Sequence, residues 1–186
     1  KKAFGAVQYL IDRHLILSGH DRSDGGLITT VLEMAFSGNC GLNLALNGTA
    51  SALETLFNEE LGLVIECRWE HLSEVKQRFK QVQIPCTALG TSTAKQAISI
   101  QYNGQLVLDD SMALLRQWWE ETSYQLERLQ MDPASAEEEK AHIFARKGPS
   151  YHLSFTPEIT APEILRNTNK PKVAILREEG SNSDRE

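Results

Sequence analysis

What this sequence lacks narrows its class first. No run of apolar residues approaches the ~20 that a membrane-spanning helix needs, so no such span is expected. No basic-then-apolar leader precedes the first amphipathic stretch, so no secretory signal is expected either. The chain opens on Lys1 rather than on methionine, as a fragment or a processed chain would. An excess of basic residues is missing too: 19 Lys and Arg stand against 25 Asp and Glu, a formal charge of −6. That balance argues against nucleic acid as a partner, which calls for a basic face to neutralise phosphates. Cysteine is scarce. Cys40, Cys67 and Cys86 are far apart and form no C-x-x-C pair, so zinc ligation and a disulfide framework both fit poorly. They read as buried, reduced thiols of a cytoplasmic protein. None sits at a strand-to-helix elbow with a base beside it, so none reads as a nucleophile.

What remains is globular in character. Apolar residues make up 41% and charged residues 24% of the chain, and its 186 residues suffice for one domain with a sizeable core. Phe4, Val7, Leu10 and Ile11 recur at helical spacing, predicting a helix over residues 1–13. Leu15 to Ser18 predicts a short strand. A polar turn follows, and Leu27, Ile28, Val31, Leu32, Ala35 and Phe36 then predict a second helix, stopped at Ser37-Gly38-Asn39.

Leu42–Leu46 alternates as a half-buried strand does. Asn47-Gly48-Thr49 predicts a turn before a helix over Ala50–Phe57, and Leu61–Cys67 reads as a buried strand. Next come a helix over Glu70–Gln81 and a strand candidate at Ile84–Leu89, where Pro85 favours an edge or strand-start position over a central one. Asn103-Gly104 is the preferred pair for a type I′ hairpin between Lys95–Tyr102 and Gln105–Leu108. A long helix to about Gln130 begins near Asp109-Asp110-Ser111, and Asp132-Pro133 ends it. The charged, proline-interrupted stretch from Pro133 to Pro171 predicts an extended connector. Lys172–Leu176 (KVAIL) predicts the first strand of another domain. The mixed element order with an antiparallel hairpin points to an α+β fold, a mixed sheet with packed helices.

One turn carries candidate chemistry: His20-Asp21-Arg22-Ser23-Asp24-Gly25-Gly26-Leu27. Asp21 and Asp24 offer hard oxygen ligands of the kind magnesium prefers when it bridges protein to phosphate. Gly25 and Gly26 would let backbone amides approach an anion at a helix N-terminus. Ser23 can bond a phosphate oxygen or cap the helix, His20 can donate beside the site, and Arg22 can supply positive charge. A plain capped glycine turn explains Ser23, Asp24 and the glycines equally well, but leaves Asp21 unexplained. Glu59-Glu60 before a strand could form a metal pair, but a solvated turn or an interdomain contact is the better reading. Of Trp118 and Trp119, one is expected to pack and the other to sit at an interface.

The segments HDRSDGGL (20–27) and LEMAFSGNCG (32–41) resemble the C-terminal lobe of aminoimidazole-ribonucleotide-synthetase-like modules. Three further segments are similar to the large single-chain phosphoribosylformylglycinamidine synthase family. They are FNEELG (57–62), RQWWEETSY (116–124) with the R-L-Q and proline pattern at 128–133, and KPKVAILREEGSN (170–182). The resemblance implies a lobe over residues 1–131, a linker over 132–170 and the start of a glutaminase domain over 171–186. It places the lobe in the second of two synthetase-like halves, with Asp21 at magnesium, Ser23 at the nucleotide, and Gly25 and Gly26 as weaker nucleotide candidates.

The implied reaction turns the amide of formylglycinamide ribonucleotide into an amidine, using ATP and ammonia from glutamine. Mg2+ and ATP or ADP are the implied cofactors. The implied partners are the remaining synthetase lobes and the glutaminase domain of the same polypeptide, with no nucleic acid or membrane. The glutaminase Cys and His would lie beyond Glu186, so no catalytic residue is expected in the chain, and alone it should be inactive. The alternative is a noncatalytic lobe that holds a nucleotide without turnover and docks the glutaminase.

Overall fold

The computed structural model describes residues 1–145 and 151–174. The chain divides into two compact units, Lys1–Gly148 and Pro149–Glu186. The first begins with α1 (Lys2–Asp12), β1 (Ser18–Arg22), α2 (Gly26–Gly38), β2 (Gly41–Leu46), α3 (Ala52–Phe57) and β3 (Gly62–Glu66). After a 3-10 turn come α4 (Leu72–Gln81), β4 (Gly90–Thr93), β5 (Ala97–Tyr102), β6 (Gln105–Ser111), α5 (Met112–Glu127) and α6 (Pro133–His142).

Among the described residues the strands form two sheets. A four-stranded sheet has the order β4-β2-β5-β6, with β2 and β5 parallel and both outer pairs antiparallel. The expected mixed sheet with packed helices is therefore present. A separate antiparallel pair joins β1 to β3, with Asp21 opposite Leu63.

Two cores follow from this layout. The larger gathers Leu27, Ile28, Val31, Ala35 and Phe36 of α2 with Leu44 and Leu46 of β2, Ile98, Ile100 and Tyr102 of β5, and Met112 and Leu115 of α5. The i, i+3, i+4 spacing on α2 gives that helix its apolar face. The smaller core joins Ala6 and Leu10 of α1 to Leu15 and to Val75 and Phe79 of α4. Strand β3 separates them: Val64 packs on the first core and Ile65 on the second, because successive side chains of a strand face opposite ways.

Several elements depart from the sequence reading. The first strand is Ser18–Arg22 rather than Leu15–Ser18, so His20, Asp21 and Arg22 lie on a strand, and Leu15 is buried in the smaller core instead. Backbone pairing with β3 extends the strand through polar residues that periodicity had assigned to the turn. No strand spans Ile84–Leu89; the edge strand is Gly90–Thr93, beyond Pro85.

Pro133–His142 is a helix rather than an extended connector. Asp132 caps it through the Ser135 amide, and Pro133 occupies the first turn, where its missing N–H costs nothing. Pro162 likewise opens a short helix, α7 (Pro162–Arg166), in the second unit. Of the strand expected at Lys172–Leu176, Lys172–Ala174 have no regular structure, and the rest lies outside the described residues. The hairpin is as expected: Asn103 and Gly104 have φ of 49° and 79°, the two positive values a type I′ turn requires.

Candidate functional site

The candidate residues run from the end of β1 into the start of α2. Asp21 is held through its backbone rather than its side chain. Its carbonyl accepts from His20 Nδ1 at 2.7 Å and from Thr30 Oγ1 at 3.3 Å. Thr30 is 2% exposed and also donates to the Gly26 carbonyl at 3.0 Å, so one buried hydroxyl ties the strand to the first turn of α2. The Asp21 carboxylate faces solvent: its side chain is 70% exposed, with His20 Nδ1 3.6 Å from one oxygen. An anchored main chain with an outward carboxylate is the arrangement an oxygen ligand needs.

The helix start has no side-chain cap. Gly25 is the N-cap residue, and neither Ser23 nor Asp24 caps the helix. Both are exposed residues. The glycines serve packing. Gly26 has φ of 72°, and a Cβ there would lie 2.6 Å from the backbone carbon of Phe57 and 2.9 Å from the Leu56 oxygen. Helix α2 therefore starts against the end of α3 at a distance only glycine permits. Both glycine amides are engaged within the chain. Gly25 N donates to Glu59 Oε1 at 2.9 Å, and Gly26 N donates to the Ser23 carbonyl at 3.0 Å. The amides expected to face an anion are thus occupied here, one of them by a carboxylate that suits the positive end of the helix.

Arg22 does not offer its charge to the site. Its guanidinium donates to Glu60 at 2.8 Å, to the Thr55 carbonyl at 3.1 Å and to the Asn58 carbonyl at 3.0 Å. With its side chain only 14% exposed, it neutralises Glu60 and satisfies carbonyls at the end of α3. Glu59 and Glu60, read from the sequence as solvated or interdomain, are the two pins that lock this loop to the opening turn.

Sequence reasoning missed two contributors, Thr30 and Glu33, and did not foresee the bond from Gly25 to Glu59. Glu33 stands 3.1 Å from His20 Nε2 and accepts from Trp119 Nε1 at 3.1 Å. Its signal was available, because it is the sole charged residue in the 13-residue α2. Trp119 also packs on Phe36 with ring centroids 5.7 Å apart, whereas Trp118 is 62% exposed. The thiols of Cys40, Cys67 and Cys86 are free and partly buried, and burial raises each above its ordinary value.

A magnesium ion fits this turn only in part. Among the described residues no group of three or more His, Cys, Asp or Glu could hold a metal. Asp21 is a single exposed carboxylate, and magnesium is commonly held by one or two carboxylates with waters and substrate phosphates completing its shell. Asp21 alone would supply one ligand of an incomplete shell.

Residues 1–103 match the family model described as AIR synthase related protein, C-terminal domain. The chain belongs to that family. Three curated relatives that align with all of it share a name. The Homo sapiens phosphoribosylformylglycinamidine synthase is 44% identical over 190 residues and the Dictyostelium discoideum enzyme of that name 38% over 211. The Arabidopsis thaliana protein named "Probable phosphoribosylformylglycinamidine synthase, chloroplastic/mitochondrial" is 43% identical over 187. The chain spans only 13%, 14% and 16% of the Arabidopsis, human and Dictyostelium proteins. A solved structure titled "T. maritima PurL complexed with ATP" shares the fold, with a TM-score of 0.58 at 16% identity over 61% of this chain and 21% of that one. The corresponding complex with FGAR gives 0.57 at 16% identity, over 61% of this chain and 20% of that one.

Proposed function

We propose that this chain is the C-terminal lobe of the second synthetase-like half of a phosphoribosylformylglycinamidine synthase. In that enzyme, formylglycinamide ribonucleotide, ATP and glutamine yield the amidine in purine biosynthesis. Within the proposal, residues 1–131 form the lobe, 132–170 the linker and 171–186 the start of the glutaminase domain. Asp21 is a magnesium ligand and Ser23 a nucleotide contact. Gly25 and Gly26 serve the site by shaping the turn.

The observation that carries the reading is the pinned main chain and outward carboxylate of Asp21. The shared name of relatives matching the whole chain supports the activity. Magnesium there would neutralise charge on the nucleotide phosphates. This chain's part is to hold the ligand in place with His20 and Thr30 and to present Ser23 beside it. The remaining synthetase lobes and the glutaminase domain are the partners, and the isolated chain is inactive. The free thiols suit a reducing compartment, which we take to be the cytoplasm.

The test is Asp21→Asn in the full-length protein. Loss of turnover with an unchanged melting temperature supports the catalytic reading. Gross destabilisation together with loss of retained nucleotide favours a lobe that holds nucleotide for structure. Full activity with unaltered magnesium dependence sinks both.

A further inference from the structure

Three side chains from three elements converge behind Asp21. Glu33 of α2 places Oε2 3.1 Å from His20 Nε2 on β1, while its Oε1 accepts from Trp119 Nε1 of α5 at 3.1 Å. The His20 ring, fixed at one nitrogen by Glu33, turns its other nitrogen to the Asp21 carbonyl at 2.7 Å and to the Asp21 carboxylate at 3.6 Å. Side chains of His20 and Glu33 are 32% and 27% exposed, so solvent competes only in part for these contacts.

We infer that Glu33 is a positioning residue that fixes the Asp21 main chain, and with it the direction of the carboxylate, through the His20 ring, with Trp119 fixing Glu33 from α5. Several observations point the same way. A carboxylate that is the sole charge on a largely buried helix has no packing role that a leucine would not fill better. Both its oxygens are engaged, each by a different element, so its direction is determined. The element carrying Trp119 is itself tied to α2 by the Phe36 ring contact and by Arg116, which lies 5.9 Å from the Phe36 ring centre and bonds the Phe36 carbonyl at 3.5 Å. A shift of α5 against α2 therefore reaches the Asp21 main chain through a continuous run of polar contacts: Trp119 to Glu33, Glu33 to His20, and His20 to the Asp21 carbonyl. Groups behind a metal ligand fix its orientation, and their loss weakens metal affinity without touching the ligand itself.

The inference rests on the reading of Asp21 as a magnesium ligand, and the experiment separates the two. Mn2+ is titrated into the full-length protein with saturating ADP, and bound metal is counted by electron paramagnetic resonance. Glu33→Ala should raise the apparent Mn2+ dissociation constant about tenfold, a typical effect for a group behind a ligand. Glu33→Gln, which keeps an acceptor for Trp119 and a hydrogen-bonding group toward His20, should restore most of that loss. Unchanged Mn2+ binding in Glu33→Ala, with Asp21→Asn impaired, overturns the inference alone. Unchanged binding in Asp21→Asn overturns the site reading and the inference with it. Should Glu33→Ala not fold, Trp119→Phe removes the N–H donor while keeping an aromatic ring beside Phe36: weaker Mn2+ binding supports the chain of contacts, and wild-type binding overturns it.

Discussion

Replacing Gly26 with alanine tests the packing beneath the candidate site most sharply. At φ of 72° a non-glycine residue sits in the left-handed region, which costs about 1–2 kcal/mol. The added Cβ would also meet backbone atoms of Phe57 and Leu56 at 2.6 Å and 2.9 Å. Backbone cannot rotate aside as a side-chain tip can, so α2 and α3 must separate, and overpacking of this kind costs about 1–3 kcal/mol. Together these give a loss of about 2–5 kcal/mol. For a chain of this size that is a fall of roughly 4–20 °C in melting temperature.

Two other glycines calibrate the number. Gly104 has φ of 79° with nothing within 4 Å of its added Cβ, so Gly104→Ala isolates the backbone cost of about 1–2 kcal/mol. Gly5 lies inside α1 with open space around it, and Gly5→Ala should stabilise by about 0.5–1 kcal/mol. Thermal denaturation of the three variants followed by circular dichroism gives the order directly. If Gly26→Ala costs no more than Gly104→Ala, the close approach of α2 to α3 is not fixed and the reasoning fails.

Two further outcomes concern local interactions around the same core. Ser51 and Glu54 form a reciprocal capping box on α3, so Ser51→Ala should cost about 1 kcal/mol in thermal or urea unfolding. Bonds from the Ser51 hydroxyl and amide hold the Glu54 carboxyl below its ordinary value. A lowered folded value means stability that is present above about pH 4.3, the ordinary glutamate value, and is lost as pH falls further. Ser51→Ala should therefore flatten the acid limb of the stability–pH curve, and an unchanged limb would contradict this.

Asn103 bonds both the amide and the carbonyl of Gly48, at 3.1 Å and 3.0 Å, joining the hairpin tip to the turn after β2. Asn103→Ala should cost about 1–2 kcal/mol in the same unfolding assay, and a neutral result would mean that water replaces both bonds without loss.

The fold was legible where local chemistry acts alone. The apolar spacing of α2, the Asn103-Gly104 turn and the Ser111 cap of α5 are each decided within a few residues, and each appears where the sequence puts it. Reading failed where a distant partner decides. Strand β1 includes His20 to Arg22 because β3 pairs with them from some forty residues away, which no local period can reveal. Pro133 was read as a stop, although the same residue starts a helix once Asp132 caps it.

The site divides in the same way. Asp21 stood out because no cap explains an acidic residue there, and its exposed carboxylate is consistent with that reasoning. Arg22 was misjudged, and the bond from Gly25 to the exposed Glu59 went unforeseen, because both depend on how α3 meets α2, a tertiary fact. Glu33 was overlooked although a lone charge on an apolar helix is a signal in itself.

The most direct test of the central reading is a crystal structure of the full-length protein with ADP and Mn2+ in place of magnesium. Anomalous scattering would then locate the metal without ambiguity. The expected result is a manganese peak at a ligand distance of about 2.0–2.3 Å from an Asp21 carboxylate oxygen, with a nucleotide phosphate completing the shell. A manganese ion bound to nucleotide elsewhere, with the Asp21 carboxylate facing only solvent, would contradict it.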